Sequence, residues 1–443
     1  MDSKLLRKYL HYLVALVPIK LRRLDAEFFS FLSKLHENEN KSYEEMQQYQ
    51  FLKLKELVIS AYKQTVFYKI KFDQAGFHPE QLKSLDDLTK IPMLTKDEVR
   101  NFGKELIVKS YKGKIYSDHT SGTTGKTLQI FRDKKTISRE WASICYQWER
   151  VGYTPYDGRV EFRGIITSND DYNFSPDQRI LRINLIKLSS QNISAVIDKI
   201  NKTGYKFFHG YPSGIFKFTK ILVENNLNIE PEALMFASEI LYDWHIEMIE
   251  RAFPRCKMIA HYGQTEKIAL GAWMNEKRYF FIPSYGIVEK LMETGELVAT
   301  GFINEVMPLI RYKLTDTVSE FLSTPLPGKP ALFPVIGSIA GRLEDLTYTN
   351  SGGIVPPALV TFPFKDLKYI SACKLVQCSL TDFTLIIEGT AKEAKDELVS
   401  LENNLKTIYG TKSIFNVEFV NQIPVDKSGK FRWIENRMQV SSS

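Results

Sequence analysis

Cysteine is scarce in this sequence, and the few cysteines are not arranged to bind a metal. The 443 residues include four cysteines, and none of them form a C-x-x-C pair. So few thiols in a long chain indicate a reducing compartment, and the missing pair argues against a structural zinc site. Internal repeats and low-complexity tracts are absent from the sequence as well.

Long apolar runs are also missing. The N-terminal run from Tyr9 to Ile19 has 11 residues and is interrupted by His11, which is too short for a helix that spans a bilayer. No small-residue cleavage site follows it. Basic residues flank the run on both sides, so two interpretations stay open: a helix packed on its own domain, which we favour, and a helix on the acidic inner face of a membrane. Both predict a cytoplasmic protein.

Charge is moderate and mixed. The formal net charge is +7, with 25% charged and 44% hydrophobic residues, values typical of a soluble globular protein. No long basic block stands out, so the composition fits anionic ligands and gives no support to nucleic-acid binding. The length predicts two or three domains.

Helical and strand patterns alternate along most of the chain. Residues from about 24 to 75 have apolar positions at three- and four-residue spacing, which predicts helices. Thr95 is a candidate cap for a helix that begins at Lys96. From Tyr116 onward, short apolar strands alternate with helical segments. This alternation predicts an α/β fold with mainly parallel sheets flanked by helices.

The pattern changes after Gly341. The stretch EDLTYTNSGGIVPP at 344–357 is rich in turn residues, and strand, helix and strand patterns follow it. We therefore predict a large N-terminal domain over 1–342, helical to about residue 100 and with its ligand site from about 116. A small α+β domain over 343–443 completes the prediction.

The segment HTSGTTGKT, His119 to Thr127, lies between two strand-like stretches. It ends in Gly-Lys-Thr as a P-loop does. A P-loop, however, has four residues between its first glycine and the Gly-Lys pair, and here only Thr123 and Thr124 lie between the two glycines. Glycines let successive backbone N–H groups face one concavity, and the hydroxyls and Lys126 add donors for anionic oxygens. We predict a phosphate-binding loop that needs no following helix; a polar hairpin turn is the alternative.

This loop resembles the phosphate loop of the adenylate-forming enzymes, the superfamily of acyl-CoA synthetases and peptide-synthetase adenylation domains. Further motifs resemble that superfamily in the same order: HYGQTEK at 261–267, IRYKLTDTV at 310–318, GRLED at 341–345 and IPVDKSGKFR at 423–432. Together the motifs cover residues 120–432. The helical start with IPMLTKDEVR, and HGYPS at 209–213, resemble the phenylacetate-CoA ligase branch and its CapK-like relatives of capsular polysaccharide synthesis.

The resemblance implies that ATP and a carboxylic acid react to give an acyl-adenylate and pyrophosphate. The residues it assigns to the nucleotide are Ser121, Gly122, Thr123, Thr124, Gly125 and Lys126 at the phosphates, Thr265 at the α-phosphate, Asp316 at the ribose, Arg342 at the ribose or a phosphate, Ser238, Glu239, His261, Tyr262 and Gly263 at the adenine, and Gln264 elsewhere along the nucleotide. Glu266 would bind Mg²⁺, since one carboxylate with phosphate oxygens and waters is an ordinary magnesium shell. The implied catalytic residues are Thr123, Thr265 and Lys430, with Lys430 bridging the carboxylate and the α-phosphate.

The family rotates a small, mobile C-terminal domain between adenylation and acyl transfer, and Glu344 occupies the hinge position, where Asp or Lys is usual. After the hinge, many relatives have an Ile-x-x-Gly strand that serves the transfer step. This chain instead has YTNSGGIVPP, in which residues 351–353 predict a hairpin turn. The departure argues against a standard coenzyme A tunnel, so coenzyme A, an amine and an amino sugar all stay open as acceptors.

The acyl pocket is expected to draw on residues 139–148 and 207–214. Trp141, Tyr146 and Tyr211 would form an aromatic cavity there, and His209 would contact a polar group of the substrate. Plain core is the alternative for the aromatic residues, and a satisfied core histidine is the alternative for His209. The sequence does not name the acid.

Three functions compete for this pattern. An adenylating ligase in cell-surface polysaccharide modification comes first, with an acyl- or aryl-CoA ligase as its alternative. A catalytically silent nucleotide-binding scaffold comes second, and the joint presence of Thr123, Glu266, Asp316 and Lys430 argues against it. A P-loop phosphotransferase fails on the spacing of the loop.

Overall fold

The computed structural model of this chain describes residues 13–14, 16–17, 24–119, 128–162, 170–185, 187–273, 277–318, 320–337, 339–342, 347–355, 360, 362–364, 367, 369–370, 372–424 and 431–438. At residues 315, 340–342, 354, 362 and 391–393 it describes the backbone only. Within these ranges no helix is both long and apolar enough to cross a membrane. The N-terminal apolar run falls largely outside them, so its two interpretations stay open.

Helices form the start of the chain, as the spacing of apolar residues predicts. They are α1 (Ala26–Asn38), α2 (Tyr43–Gln64), α3 (Val66–Gln74) and α4 (Lys96–Phe102). The side chains that cap them, each accepting the backbone N–H three residues on, are Asp25, Ser42, Thr65 and Thr95. Such caps satisfy donors that the first helical turn leaves open. The predicted Thr95 cap and the helix start at Lys96 are confirmed.

A hairpin and a long helix follow. β1 (Tyr116–His119) pairs antiparallel with β2 (Gln129–Arg132), and α5 (Lys134–Trp148) begins directly after them. Asp118 and Arg132 form a two-bonded ion pair across this hairpin, with Nε and Nη2 of the arginine at 2.5 and 2.7 Å from the carboxylate oxygens. The two strands flank the predicted phosphate loop, whose residues 120–127 lie outside the described ranges.

The centre of the large sheet is parallel. Its strands are β3 (Arg159–Phe162), β5 (Ile180–Ile183), β6 (Phe207–Gly210), β7 (Ala233–Ala237) and β8 (Lys257–Gly263), in the order β5-β3-β6-β7-β8. The helices that connect them are α6 (Ile193–Thr203), α7 (Pro212–Glu224) and α8 (Asp243–Ala252). Parallel strands need such crossovers, so the α/β prediction is confirmed.

Antiparallel strands extend this sheet on both sides. β4 (Tyr172–Ser175) borders β5, and the strands beyond β8 are β9 (Leu270–Trp273), β10 (Tyr279–Phe281), β15 (Val335–Ile336) and β14 (Phe321–Leu322). A second, antiparallel sheet contains β11 (Gly286–Lys290), β12 (Glu296–Gly301), β13 (Tyr312–Val318) and β16 (Ile339–Arg342). Among the described residues of the large domain, parallel strand pairing occurs at the centre of the main sheet and in one isolated bridge between Leu94 and Tyr312, a narrower extent than the sequence pattern predicts.

The C-terminal residues form a separate sheet and core, and we call residues 347–438 the C-terminal lobe. Its elements are β17 (Thr347–Tyr348), β18 (Ile354–Val355), β19 (Ala372–Gln377), β20 (Asp382–Glu388), α9 (Ala391–Tyr409), β21 (Ile414–Val420) and β22 (Ile434–Asn436), with the sheet order β21-β20-β19-β22. Gly352 has φ +84° in the β17–β18 hairpin, a conformation that favours glycine, so the predicted turn at 351–353 is confirmed. The exact domain boundary near Arg342 stays a prediction.

Candidate active site

Several predicted site residues lie at one edge of the main sheet, where the parallel strands end. β7 ends at Ala237, directly before Ser238 and Glu239, and β8 runs through His261 and Tyr262 to Gly263. Open α/β sheets bind ligands in the crevice at the carboxyl ends of their strands. The fold therefore brings the predicted adenine-binding segments of β7 and β8 to the edge where a ligand is expected.

Tyr262 and Asp316, predicted at the adenine and the ribose, contact each other. The Tyr262 phenol donates a hydrogen bond to Asp316 Oδ2 at 2.5 Å, and both residues are buried. A short bond from a phenol to a carboxylate is charge-assisted and holds the carboxylate in one orientation. Asp316 also stands opposite Arg342 in the register of β13 and β16, and only the backbone of Arg342 is described.

Tyr312, on the same strand as Asp316, contacts the predicted magnesium ligand. Its phenol donates a hydrogen bond to Glu266 Oε1 at 3.1 Å. Burial, and then the neighbouring Glu266 carboxylate, raise the pKa of the Tyr312 phenol well above its ordinary value, so the phenol stays protonated and remains a donor. Tyr312 and Asp316 lie on the same strand, so β13 carries side chains that reach both the predicted metal ligand and the predicted ribose residue. Sequence reasoning missed Tyr312, although it stands in the same quoted motif as Asp316.

Glu266 fits the magnesium role by its donor chemistry. Its Oε1 accepts one bond from Tyr312, and a carboxylate has further lone pairs to offer. Magnesium usually takes one or two protein carboxylates together with substrate phosphates and waters. In the part of the chain that the structure describes, no group of three or more His, Cys, Asp or Glu side chains could hold a metal.

Lys267, next to Glu266, joins three segments around the site. Its Nζ lies 3.2 Å from Glu140 Oε2 on α5, 3.6 Å from Asp118 Oδ2 on β1 and 3.4 Å from the Thr265 carbonyl oxygen. The residue is buried and has φ +56°, a left-handed conformation that is uncommon for side chains other than glycine. Such strain persists only where the surroundings determine it, and it concentrates at functional sites. Lys267 is the last residue of the HYGQTEK motif, but the sequence does not reveal its acidic partners, because both are more than 120 residues away in the chain.

Glu239 uses both of its carboxylate oxygens on backbone N–H groups. Oε2 accepts from Ser213 in the first turn of α7 at 3.0 Å, where a negative charge suits the helix dipole. Oε1 accepts from Phe431 of the C-terminal lobe at 3.2 Å. Ser238, the residue before it, is exposed and has φ +70°. Glu239 thus connects the end of β7 to the C-terminal lobe, while its adenine contact stays a prediction.

The predicted acyl-pocket residues divide into two groups. Trp141 and His209 both pack on Trp148 of α5, with ring centroids 5.6 and 4.8 Å away. The His209 ring is nearly parallel to that of His261, at 6.3 Å and 18°. Tyr146 instead contacts Arg150 and His36 of α1, as its ring centroid lies 4.4 and 5.6 Å from them. The structure therefore brings together Trp141, His209 and His261, and turns Tyr146 toward α1.

Tyr211 is buried at the N-terminus of α7. Its backbone N–H donates to the Phe162 carbonyl oxygen at the end of β3, at 3.0 Å. It therefore lies at the carboxyl ends of β3 and β6. The structure gives it a position at the sheet edge, and its contact with a substrate stays a prediction.

A buried charged network that the sequence reasoning missed lies beside His209. Glu161 on β3 accepts from Arg159 at 2.8 and 3.1 Å and from Arg182 at 3.0 Å, and its Oε1 is 3.9 Å from His209 Nδ1. Burial by itself would raise the pKa of Glu161, but His209 and Arg159 hold it below its ordinary value, so the carboxylate is ionised. Alternating charges within the apolar strand RVEF are the signal in the sequence that could have revealed this network.

Some predicted residues lie outside the described ranges. They are Ser121, Gly122, Thr123, Thr124, Gly125 and Lys126 of the phosphate loop, the hinge residue Glu344 and the catalytic residue Lys430. The neighbours of two of these segments are described: β1 ends before the loop, β2 begins after it, and Phe431 follows Lys430. The roles of the undescribed residues stay predictions.

Comparison with known proteins gives three consistent likenesses. A family model described as the CapK C-terminal domain matches residues 347–437. The chain is 25% identical to Protein CapK of Staphylococcus aureus over 396 residues (84% of this chain, 87% of that protein), and 25% identical to phenylacetate-coenzyme A ligase of Escherichia coli K12 over 352 residues (74% and 78%).

A solved structure of 2-hydroxyisobutyryl-CoA ligase in the postadenylation state has the same fold, with a TM-score of 0.68, 15% identity, and coverage of 91% of this chain and 92% of that one. The ordered motifs, the sequence likeness and the fold agree with one another. The chain is therefore similar in sequence to Protein CapK and to phenylacetate-coenzyme A ligase and has the fold of 2-hydroxyisobutyryl-CoA ligase, and these likenesses support the resemblance to the adenylate-forming enzyme superfamily.

Proposed function

We propose that this protein activates a carboxylic acid with ATP. A carboxylate oxygen attacks the α-phosphorus, the bond from that phosphorus to the bridging oxygen of the β-phosphate breaks, and acyl-adenylate and pyrophosphate form. The observation that best supports the proposal is the pairing of Tyr262 with Asp316 and of Tyr312 with Glu266. Two buried carboxylates, each oriented by a phenol, suit a site that must place a nucleotide and its counter-ion together.

Asp316 would receive the two ribose hydroxyls. Tyr262 already donates to one of its oxygens at 2.5 Å, so the carboxylate is oriented before ATP arrives and loses little freedom on binding. Glu266 would hold Mg²⁺, which when bound neutralises phosphate charge. Thr265 shares the turn with Glu266 and would contact the α-phosphate, and the loop from Ser121 to Lys126 would hold the departing phosphates.

Lys430 would stabilise the negative charge that builds up as the carboxylate attacks. A lysine offers a compact positive charge on a flexible stem, which suits a moving target. The residue that follows it, Phe431, donates its backbone N–H to Glu239 at the end of β7. The C-terminal lobe thus contacts the predicted nucleotide site within one residue of Lys430, which supports the assignment.

The acceptor of the acyl group is the finer part of the proposal, and the likeness to Protein CapK supports it. We infer transfer to an amine or amino sugar in the modification of a cell-surface polysaccharide, such as capsule or O-antigen. The β17–β18 hairpin, where a transfer-state strand is usual in relatives, favours an acceptor other than coenzyme A. The second candidate is an aryl- or acyl-CoA ligase, which the likeness to phenylacetate-coenzyme A ligase favours.

Acid-dependent exchange of labelled pyrophosphate into ATP tests the proposal. Aryl, fatty, amino and sugar acids are assayed separately, and coenzyme A and amines are then added as acceptors. We expect exchange with one acid class and none in Lys430→Ala, with ATP binding retained in the variant. No exchange with any acid would favour a silent nucleotide-binding scaffold. Transfer to coenzyme A would favour the second candidate.

A further inference from the structure

Aromatic side chains from both parts of the chain meet where the C-terminal lobe touches α7 and α8. Phe216, Tyr242, Trp244 and His245 stand on the side of the large domain, and Trp433 stands on the side of the lobe. We call these five residues the inter-lobe aromatic cluster. The Trp433 ring lies 5.4 Å from that of Trp244 with the planes at 86°, the edge-to-face geometry that aromatic pairs prefer.

The large-domain side of the inter-lobe aromatic cluster is buried and uncharged. His245 is fully buried, with its ring 3.9 Å from that of Trp244 and 5.0 Å from that of Phe216. Burial lowers the pKa of His245 to about 3, so the imidazole is neutral near pH 7. Tyr242 stacks on Trp244 at 6.0 Å and 7°. The surface on which Trp433 rests is therefore an apolar face that is already assembled within the large domain.

Two polar contacts flank this aromatic contact. Lys220 Nζ donates to the Leu367 carbonyl oxygen at 3.0 Å, and the Phe431 N–H donates to Glu239 Oε1 at 3.2 Å. The Phe431 and Trp433 rings contact each other at 4.7 Å. Because Trp433 is only two residues beyond Phe431, fixing its ring also fixes the backbone that reaches Glu239.

We propose that Trp433 is a positioning residue for adenylation: it anchors the C-terminal lobe on the inter-lobe aromatic cluster and so holds Phe431 at the carboxyl end of β7. The inference rests on the proposed function, because that reaction needs Lys430, the residue before Phe431. Among the described residues, the contact combines these aromatic rings with the two hydrogen bonds donated by Lys220 and Phe431.

Hydrogen–deuterium exchange on the full chain without ligands tests the contact itself. We expect exchange in the segment that contains Phe431 to become about tenfold faster or more in Trp433→Ala, and in Trp244→Ala from the opposite side. Trp433→Phe keeps an aromatic ring and is expected to retain most of the protection. Phe415→Leu is the matched control, because Phe415 stacks on Phe383 inside the lobe. Unchanged protection in both tryptophan-to-alanine variants would overturn the proposal.

Kinetics test the positioning role, with the acid that gives the fastest ATP–pyrophosphate exchange. We expect Trp433→Ala and Trp244→Ala to lower kcat about tenfold, which corresponds to about 1.4 kcal/mol, while the KM for ATP changes less than about twofold. The double variant is expected to lose no more than either single variant, because the two side chains form one contact. Additive losses, or an equal loss in Phe415→Leu, would overturn the role.

The two proposals fail in different ways. Absence of pyrophosphate exchange in the unmodified protein would refute the proposed function and, with it, a role of Trp433 in adenylation. The deuterium experiment would still decide whether Trp433 anchors the lobe. Normal pyrophosphate exchange in well-folded Trp433→Ala and Trp244→Ala would refute the positioning role alone.

Discussion

Replacing Lys267 by methionine removes a buried positive charge beside the site and keeps a long apolar side chain. In the native protein, the Lys267 side chain is 8% exposed and its Nζ lies 3.2 Å from Glu140 and 3.6 Å from Asp118. Asp118 keeps its two-bonded partner Arg132 in the variant, whereas Glu140 loses its ion-pair partner. We therefore expect most of the loss of stability to come from Glu140, whose carboxylate is left without its ion-pair partner.

The expected loss of unfolding free energy is about 2–3 kcal/mol. Two unit charges 3.2 Å apart attract by roughly 1 kcal/mol with water-like screening and by about 5 kcal/mol at an effective dielectric constant of 20. Breaking a fully buried pair costs about 3–5 kcal/mol, and the Glu140 side chain is 22% exposed, which places this pair below that range.

The loss is also expected to depend on pH. Burial raises the pKa of Glu140 in the folded protein, and removing the nearby ammonium raises that pKa further. The folded variant then binds more protons than its unfolded chain at pH values above the ordinary glutamate pKa, so its stability falls as pH rises. The deficit relative to the native protein should therefore be smaller at pH 5 than at pH 8.

Urea unfolding at both pH values measures this deficit. Adding Glu140→Gln to Lys267→Met should remove it, because a neutral amide does not need the cation. Lys277→Met is a matched control: Lys277 also has a positive φ, of 53°, and its Nζ also lies 3.2 Å from a carboxylate, that of Asp243, but its side chain is 56% exposed. Exposed pairs contribute about 0–1 kcal/mol. Equal losses in the two lysine variants, or a deficit as large at pH 5 as at pH 8, would refute this reasoning.

Two further predictions concern hydrogen bonds to buried carboxylates. Tyr262→Phe removes the donor to Asp316. Since a hydrogen bond to a charged group contributes about 1.5–3 kcal/mol, we expect the KM for ATP in pyrophosphate exchange to rise about tenfold with kcat nearly unchanged. An unchanged KM would contradict a role of Asp316 in binding the ribose. Glu161→Gln leaves the buried Arg159 without its counter-charge, and we expect about 3 kcal/mol less stability in urea unfolding; a loss below about 1 kcal/mol would contradict an ionised Glu161.

The sequence predicts well those features that depend on neighbours in the chain. The Thr95 cap needs only Glu98 three residues on, and the β17–β18 turn needs only the run Ser351 to Gly353, so local propensity is sufficient for both. The motif that carries Tyr262 and Glu266 is likewise short, and the structure places it at the sheet edge where a ligand is expected.

Contacts between distant residues could not be predicted in the same way. Lys267 meets Glu140 and Asp118 only because β1, α5 and the turn after β8 converge, and no local pattern encodes that convergence. Tyr146 is five residues after Trp141, which places the two side chains about 140° apart around the helix, so the helical period alone separates them; the contacts of Tyr146 with Arg150 and with His36 of α1 depend on packing. The sequence also did not predict the antiparallel strands on both sides of the main sheet, because a short apolar strand has the same pattern whichever way it runs relative to its neighbours.

An oxygen-label experiment tests the central claim most directly. The acid that supports pyrophosphate exchange is prepared with its carboxylate labelled with ¹⁸O and incubated with ATP, Mg²⁺ and an acceptor. If the carboxylate attacks the α-phosphorus, acyl transfer leaves a labelled oxygen on AMP, and mass spectrometry detects it there. Label in inorganic phosphate with release of ADP, or unlabelled AMP from a reaction that consumes the acid, would contradict adenylate formation by this protein.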